Sequence, residues 1–111
     1  MIAKLKIKAK ELDPKKKDDA MQAGTTATTV LVTKDLVICA NAGDSRTVVS
    51  KFGGEPDFLS VDHKPDNELE KARIEAAKGS VQNGRVNGAL AVSRALGDFE
   101  FKGRKELDPC K

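Results

Sequence analysis

TTATTVLVTKDLVICANAGDSRTVVSK, residues 25–51, holds three runs of β-branched and aliphatic residues separated by polar breaks. Such side chains suit a pleated, half-buried surface, so residues 25–33, 36–40 and 45–51 are predicted strands. Lys34-Asp35 is a two-residue polar break, which predicts a tight antiparallel hairpin between the first two. LVICA, residues 36–40, is continuously apolar, so the second strand is expected to be fully buried, with Cys39 an inert core thiol. NAGD at 41–44 supplies turn residues ahead of the third strand. Gly53-Gly54 turns the chain again before DFLS, 57–60, the fourth. The reading is an antiparallel meander from 25 to 60.

The pattern changes after Pro65. Asn67 followed by Glu70 has the form of a capping box, and NELEKARIEAAK consists largely of good helix formers, so a helix is predicted over 67–78. Gly79 sits where a left-handed C-cap is expected. Leu69, Ala72 and Ala76 share one weakly apolar face with Ile74 beside it, the face expected to lie on other structure. SVQNGRVNG carries two Asn-Gly pairs, Asn83-Gly84 and Asn87-Gly88, read as a compact irregular loop before ALAVSRALGD. Outward at the start, MIAKLKIKAK alternates apolar residues with lysine, as a half-exposed edge strand does, or serves as a tail for acidic surfaces. ELDPKKKDDAMQ reads as a loop. Strands and one helix in succession give an α+β class.

Composition limits what this chain can be. One domain at most fits in 111 residues, and four Phe with no Trp or Tyr predict a thin core of Val, Leu, Ile and Ala. The net charge of +3 resides entirely in residues 1–23, where seven Lys face four acids. Nucleic-acid binding needs basic residues clustered on the folded part together with stacking aromatics, and neither is present. No apolar run reaches membrane-spanning length and no leader pattern opens the chain. Cys39 and Cys110 lack metal-ligand spacing, and the expectation is a reduced, intracellular protein without nucleic-acid or membrane partners.

Five short motifs then occur in one order: GTTA (24–27), NAGDSR (41–46), LSVDHKP (59–65), E-x-x-R-I (70–74) and GRVNGALAVSRALGDFEFK (84–102). Together they resemble the metal-dependent protein serine/threonine phosphatases of the type 2C family, over residues 24–102. The resemblance implies a four-layer α-β-β-α sandwich, of which this chain would hold the meander, a helix and a substrate flap. It also implies hydrolysis of phosphoserine and phosphothreonine in proteins by water activated on Mg²⁺ or Mn²⁺. The family's phosphate-binding arginine and Asp-Gly-His-Gly-Gly turn precede the first of these motifs, and its Asp-Gly and Asp-Asn metal segments follow the last. Residues 1–23 and the tail 103–111 match none of them. The expectation is therefore an incomplete domain, with no core catalytic residue in this chain and no activity on its own.

Site candidates remain within that frame. Asp44 is either a peripheral ligand for a third, loosely held metal, as the resemblance implies, or a residue capping its own turn. Arg85 and Asn87 belong by resemblance to the flap that shapes access for protein substrates; Asn87-Gly88 reads equally as a plain turn. Ser45, Arg46 and His63 have no adjacent partner for nucleophilic or acid chemistry and are read as structural. Arg94 is expected to pair with an acid such as Asp98. Missing sheet partners would leave edges and an apolar face open, which predicts self-association. The competing function is a non-catalytic relative that binds phosphoproteins or an intact phosphatase.

Overall fold

A computed structural model describes residues 22–102. The predicted strand at 1–10, the loop after it and the tail 103–111 lie outside the described residues, except for Gln22. Within them the order is β1 (Gly24–Thr25), β2 (Ala27–Val32), β3 (Val37–Ala42), β4 (Val48–Ser50), β5 (Pro56–Phe58), α1 (Glu68–Ala76), β6 (Val81–Gln82), β7 (Arg85–Val86) and β8 (Leu96–Gly97). Every strand pair is antiparallel.

β2 and β3 form the predicted hairpin, from Ala27 opposite Ala42 to Val32 opposite Val37. Its turn is held by Thr33, whose N–H donates to the Leu36 carbonyl at 2.8 Å and whose hydroxyl accepts from Leu36 N–H at 2.9 Å. β4 and β5 form a second hairpin around Gly53 and Gly54, both at positive φ. The two hairpins do not join, so the single four-stranded meander is not what forms. The reason lies between β3 and β4. Ser45 and Thr47 point their hydroxyls at Thr26 and Thr28, at 2.6 and 2.5 Å, and Thr47 N–H donates to Ser60 Oγ at 2.7 Å. These bonds draw the chain leaving β3 to the start of β2, not along β3.

The expectation of a fully buried second strand is also corrected. Cys39 is half-buried, while Val37 and Ile38 are 47% and 50% exposed. A continuous apolar run is buried on both faces only where both faces are covered, and the described residues leave β2–β3 largely open.

Helix α1 starts after Asn67, which is extended at φ −60°, ψ 132°. No capping box closes: the Asn67 amide donates instead to the Asp62 carbonyl at 2.7 Å, and Glu70 turns inward. The buried face is Glu70 and Ile74, one turn apart. Leu69 is 85% exposed, and Ala72 and Ala76 are exposed as well, so the predicted apolar face is the outer one. An ion-pair requirement, described below, rotates the helix against its weak hydrophobic pattern. At the C-terminus the left-handed residue is Lys78 (φ 60°), with Gly79 N–H returning to the Ile74 carbonyl at 2.9 Å. That is a Schellman closure displaced by one residue from the prediction. Glycine is still needed at 79, since a Cβ there would lie 2.8 Å from Ile74 Cγ2.

β6 and β7 turn the predicted irregular loop into a hairpin. Asn83 (φ 52°) and Gly84 (φ 69°) both take positive φ, the type I′ geometry matched to strand twist. A second Asn-Gly turn, at Asn87 and Gly88, bridges Val86 to Leu90. β1 and β8 bring the two ends of the described chain together. Ile74, Phe99 and Pro65 are its most buried apolar side chains. No helix among the described residues is long and apolar enough to cross a membrane.

Candidate functional site

The turn after β3 is anchored from several directions. Gly43 (φ 107°) lies against Thr26, where a Cβ would come within 2.3 Å of the threonine methyl. His63 N–H donates to the Gly43 carbonyl at 2.9 Å, and His63 Nδ1 stands 3.2 Å from Gly43 N, placed to accept its proton. The Asn41 amide donates to the carbonyls of Gly43 (3.1 Å) and Val61 (3.0 Å), while its Oδ1 is buried without a partner. His63 is thus structural, as the sequence suggested, but it fastens a turn 20 positions away rather than its own neighbours. Asp44, half-buried, faces Lys64 Nζ at 3.6 Å rather than the amides of its own turn. Arg46 grips Asp62 with two parallel bonds of 2.8 and 2.9 Å. The Arg46 hydrogen bond holds the Asp62 carboxyl below its usual range, despite some desolvation, and Asp62 raises Arg46 in return.

A second cluster lies under α1. Glu70, 6% exposed, receives Arg94 through Nε at 3.0 Å and Nη2 at 2.6 Å, and Arg73 Nη2 at 2.9 Å. Burial works against the charged carboxylate, but the hydrogen bonds from Arg94 and Arg73 prevail and lower its pKa from 4.5 to about 2. Arg94 therefore pairs with an acid, as expected, and Glu70 is that acid. Arg73 Nη2 also donates to the Ser93 carbonyl at 2.7 Å, and Ser93 N–H donates to the His63 carbonyl at 3.0 Å. One continuous polar path thus joins α1, the segment leaving the β6–β7 hairpin, and the Asp44 turn. The sequence offered half of this signal, a Glu-Arg pair at i, i+3; the Arg94 contact spans 24 positions and has no local signature.

The hairpin places Arg85 and Asn87 differently. Arg85 is exposed and donates through Nη1 to the Ala89 carbonyl at 2.7 Å. Asn87 is tied to Ser80: its Oδ1 accepts from Ser80 N–H at 2.9 Å, and its own N–H donates to the Ser80 carbonyl at 2.8 Å.

This donor set does not fit a binuclear metal centre. Among the described residues no group of three or more His, Cys, Asp or Glu side chains could hold an ion. Asp44 is a single carboxylate with an ammonium opposite it, whereas hard divalent cations take six or more oxygens, carboxylates prominent among them.

The family model described as "Protein phosphatase 2C" matches residues 2–109, wider at both ends than the motif-bearing stretch. The fission yeast (Schizosaccharomyces pombe) protein named "Protein phosphatase 2C homolog 2" is 59% identical over 91 residues, covering 80% of this chain and 24% of its own. "Probable protein phosphatase 2C 3" of Paramecium tetraurelia is 52% identical over 103 residues, covering 91% of this chain and 34% of its own. The chain thus spans only a quarter to a third of these relatives' length. The crystal structure of a phosphatase from Toxoplasma gondii superposes with a TM-score of 0.59 at 29% identity, over 81% of this chain and 39% of that one.

Proposed function

The chain belongs to the protein phosphatase 2C family, and on that premise we propose that it works as part of a metal-dependent protein serine/threonine phosphatase inside the cell. The reaction is hydrolysis of phosphoserine and phosphothreonine esters in proteins, giving the free hydroxyl and inorganic phosphate. Mg²⁺ or Mn²⁺ supplies the activated water, held by carboxylates outside the described residues. The observation that carries this reading is the polar path from α1 through Ser93 and His63 to Gly43. It links four of the five family-like motifs into one hydrogen-bonded unit, in a chain more than half identical to proteins named as phosphatases.

Each part has an assigned role. β2–β3 and β4–β5 are pieces of the two sheets of a four-layer sandwich, with α1 in an outer layer. Residues 24–102 carry the motifs of the phosphatase portion, and the family match extends from them into the flanks 1–23 and 103–111. The β6–β7 hairpin is the substrate flap. Asn87 fixes its base to Ser80, and Arg85 presents a guanidinium to the phosphoprotein from the exposed edge. Asp44 is a peripheral metal-facing carboxylate that assists an ion held mainly by other groups. The exposed apolar side chains of β2–β3 drive self-association of the chain by itself. A phosphopeptide assay with Mn²⁺ on the 111 residues tests the assignment of the metal carboxylates: no chelator-sensitive release of phosphate is expected. Turnover well above background would place the catalytic centre within this chain and overturn that part of the proposal.

A further inference from the structure

The β6–β7 turn and the turn after β7 each hold an Asn-Gly pair, and the surroundings of the two differ in a chemically decisive way. Asn-Gly is the dipeptide most open to intramolecular attack, because glycine offers no side chain to hinder the approach of its own amide nitrogen. Asn83 heads the hairpin turn and is exposed, and no hydrogen bond holds its side chain among the described residues. Gly84 N–H likewise has no acceptor among them, and the space on the side where a Cβ would stand is open, with nothing within 4 Å of a Cβ built there. Asn87 is the opposite case. Its Oδ1 accepts from Ser80 N–H at 2.9 Å and from Ser80 Oγ at 3.4 Å, and the following amide, Gly88 N–H, donates to the Arg85 carbonyl at 3.4 Å.

We propose that Asn83 is a site of spontaneous deamidation and that Asn87, four residues on, is protected by Ser80. The Gly84 amide gives its proton to base, and its nitrogen then attacks Asn83 Cγ. The N–Cγ bond forms, the Cγ–Nδ2 bond breaks, and Nδ2 leaves as ammonia after taking a proton from water. Water opens the resulting five-membered imide at either carbonyl, leaving aspartate or isoaspartate. The net change is asparagine plus water to a carboxylate-bearing residue plus ammonia, with no oxidant or enzyme required. The rate rises with pH because the attacking nitrogen must lose its proton.

The product matters for the hairpin. Aspartate tolerates positive φ and keeps the turn, but places a carboxylate beside Arg85. Isoaspartate adds a methylene to the main chain. The two-residue type I′ turn then no longer sets Gln82 opposite Arg85 and Val81 opposite Val86. Accumulated modification at Asn83 therefore loosens the element that carries Arg85, a chemical ageing mark on this hairpin that stands whether or not the hairpin is a substrate flap.

Cleavage after Lys78, Arg85 and Arg94 separates the two sites into peptides 79–85 and 86–94, so each can be followed alone. The folded chain is incubated at mildly alkaline pH, digested with trypsin, and the mass gain of each peptide is followed over time. The same incubation in denaturant supplies the reference. The expected result is modification of Asn83 roughly tenfold faster than Asn87 in the folded chain, the factor imposed by breaking hydrogen bonds of ordinary strength. In denaturant the two rates converge. Equal rates in the folded chain, a faster Asn87, or an Asn83 that stays intact while the denatured chain reacts would each overturn the proposal.

Discussion

Replacing Glu70 by glutamine removes the charge between Arg73 and Arg94 while keeping the side chain's shape. The Glu70 carboxyl has a pKa of about 2 in the folded chain against 4.5 ordinarily. Each pH unit of that gap is worth about 1.4 kcal/mol, so the folded state favours the carboxylate by about 3 kcal/mol. Glu70 itself is almost fully buried, but Arg94 and Arg73 are 40% and 25% exposed, and water relieves part of their loss. The expected cost of Glu70→Gln at neutral pH is thus about 2–3 kcal/mol, at or just below the lower end of the ~3–5 kcal/mol for breaking a fully buried ion pair. Amide hydrogen exchange over α1 reads it directly, as an increase of roughly 30- to 150-fold. The folded value lies below the unfolded one, so this stabilisation is fully present above pH 4.5 and lost as pH falls to about 2. Wild type and Glu70→Gln should converge there. Exchange over α1 within about twofold of wild type at neutral pH, or a difference undiminished near pH 2, would refute the reasoning.

Three further outcomes follow from the same structure. Gly43→Ala puts a Cβ 2.3 Å from Thr26 Cγ2 at φ 107°, and should lower stability in circular-dichroism melts by about 3 kcal/mol; Gly53→Ala, at φ 108° with nothing within 4 Å, should cost about 1 kcal/mol. Sedimentation velocity should show concentration-dependent association of the 111 residues. The double substitution Leu31→Lys with Ile38→Lys, a cross-strand pair exposed on β2–β3, should shift it towards monomer; a concentration-independent wild-type monomer would contradict this. Asp44→Ala removes one half-exposed pair with Lys64 and should cost under about 1 kcal/mol. It should leave calorimetric Mn²⁺ titrations of this chain unchanged, and micromolar binding abolished by the substitution would reverse that reading.

Local patterns were legible and distant charge pairs were not. The β2–β3 hairpin follows from β-branched runs around Lys34-Asp35, and the position of α1 follows from the change of pattern after Pro65. Which face α1 buries could not be read that way. Leu69, Ala72 and Ala76 form the more apolar stripe, yet Glu70 is buried because Arg94, 24 positions on, supplies its counter-charge. The β6–β7 hairpin was legible in principle. Asn83-Gly84 is the turn chemistry that type I′ demands, and the second Asn-Gly pair obscured it. The role of Gly43 is visible only once Thr26 is brought against it. At the candidate site, His63 and Arg46 are structural, as the sequence suggested, but their partners Gly43 and Asp62, 20 and 16 positions away, and the Ser80–Asn87 clasp need the folded chain to be seen.

The central claim is that these residues serve as the flap-bearing segment of a metal-dependent protein phosphatase whose metal carboxylates lie outside the described residues. The most direct measurement exchanges the matched segment of the fission yeast relative for that of this chain and assays phosphate release from a phosphopeptide with Mn²⁺. A chelator control and an Arg85→Ala version run in parallel. The account predicts chelator-sensitive turnover by the chimera at a rate comparable with the unmodified relative, a raised KM for the phosphopeptide in the Arg85→Ala version, and none from the 111 residues alone. A folded chimera without chelator-sensitive turnover, beside an active unmodified relative, would contradict it.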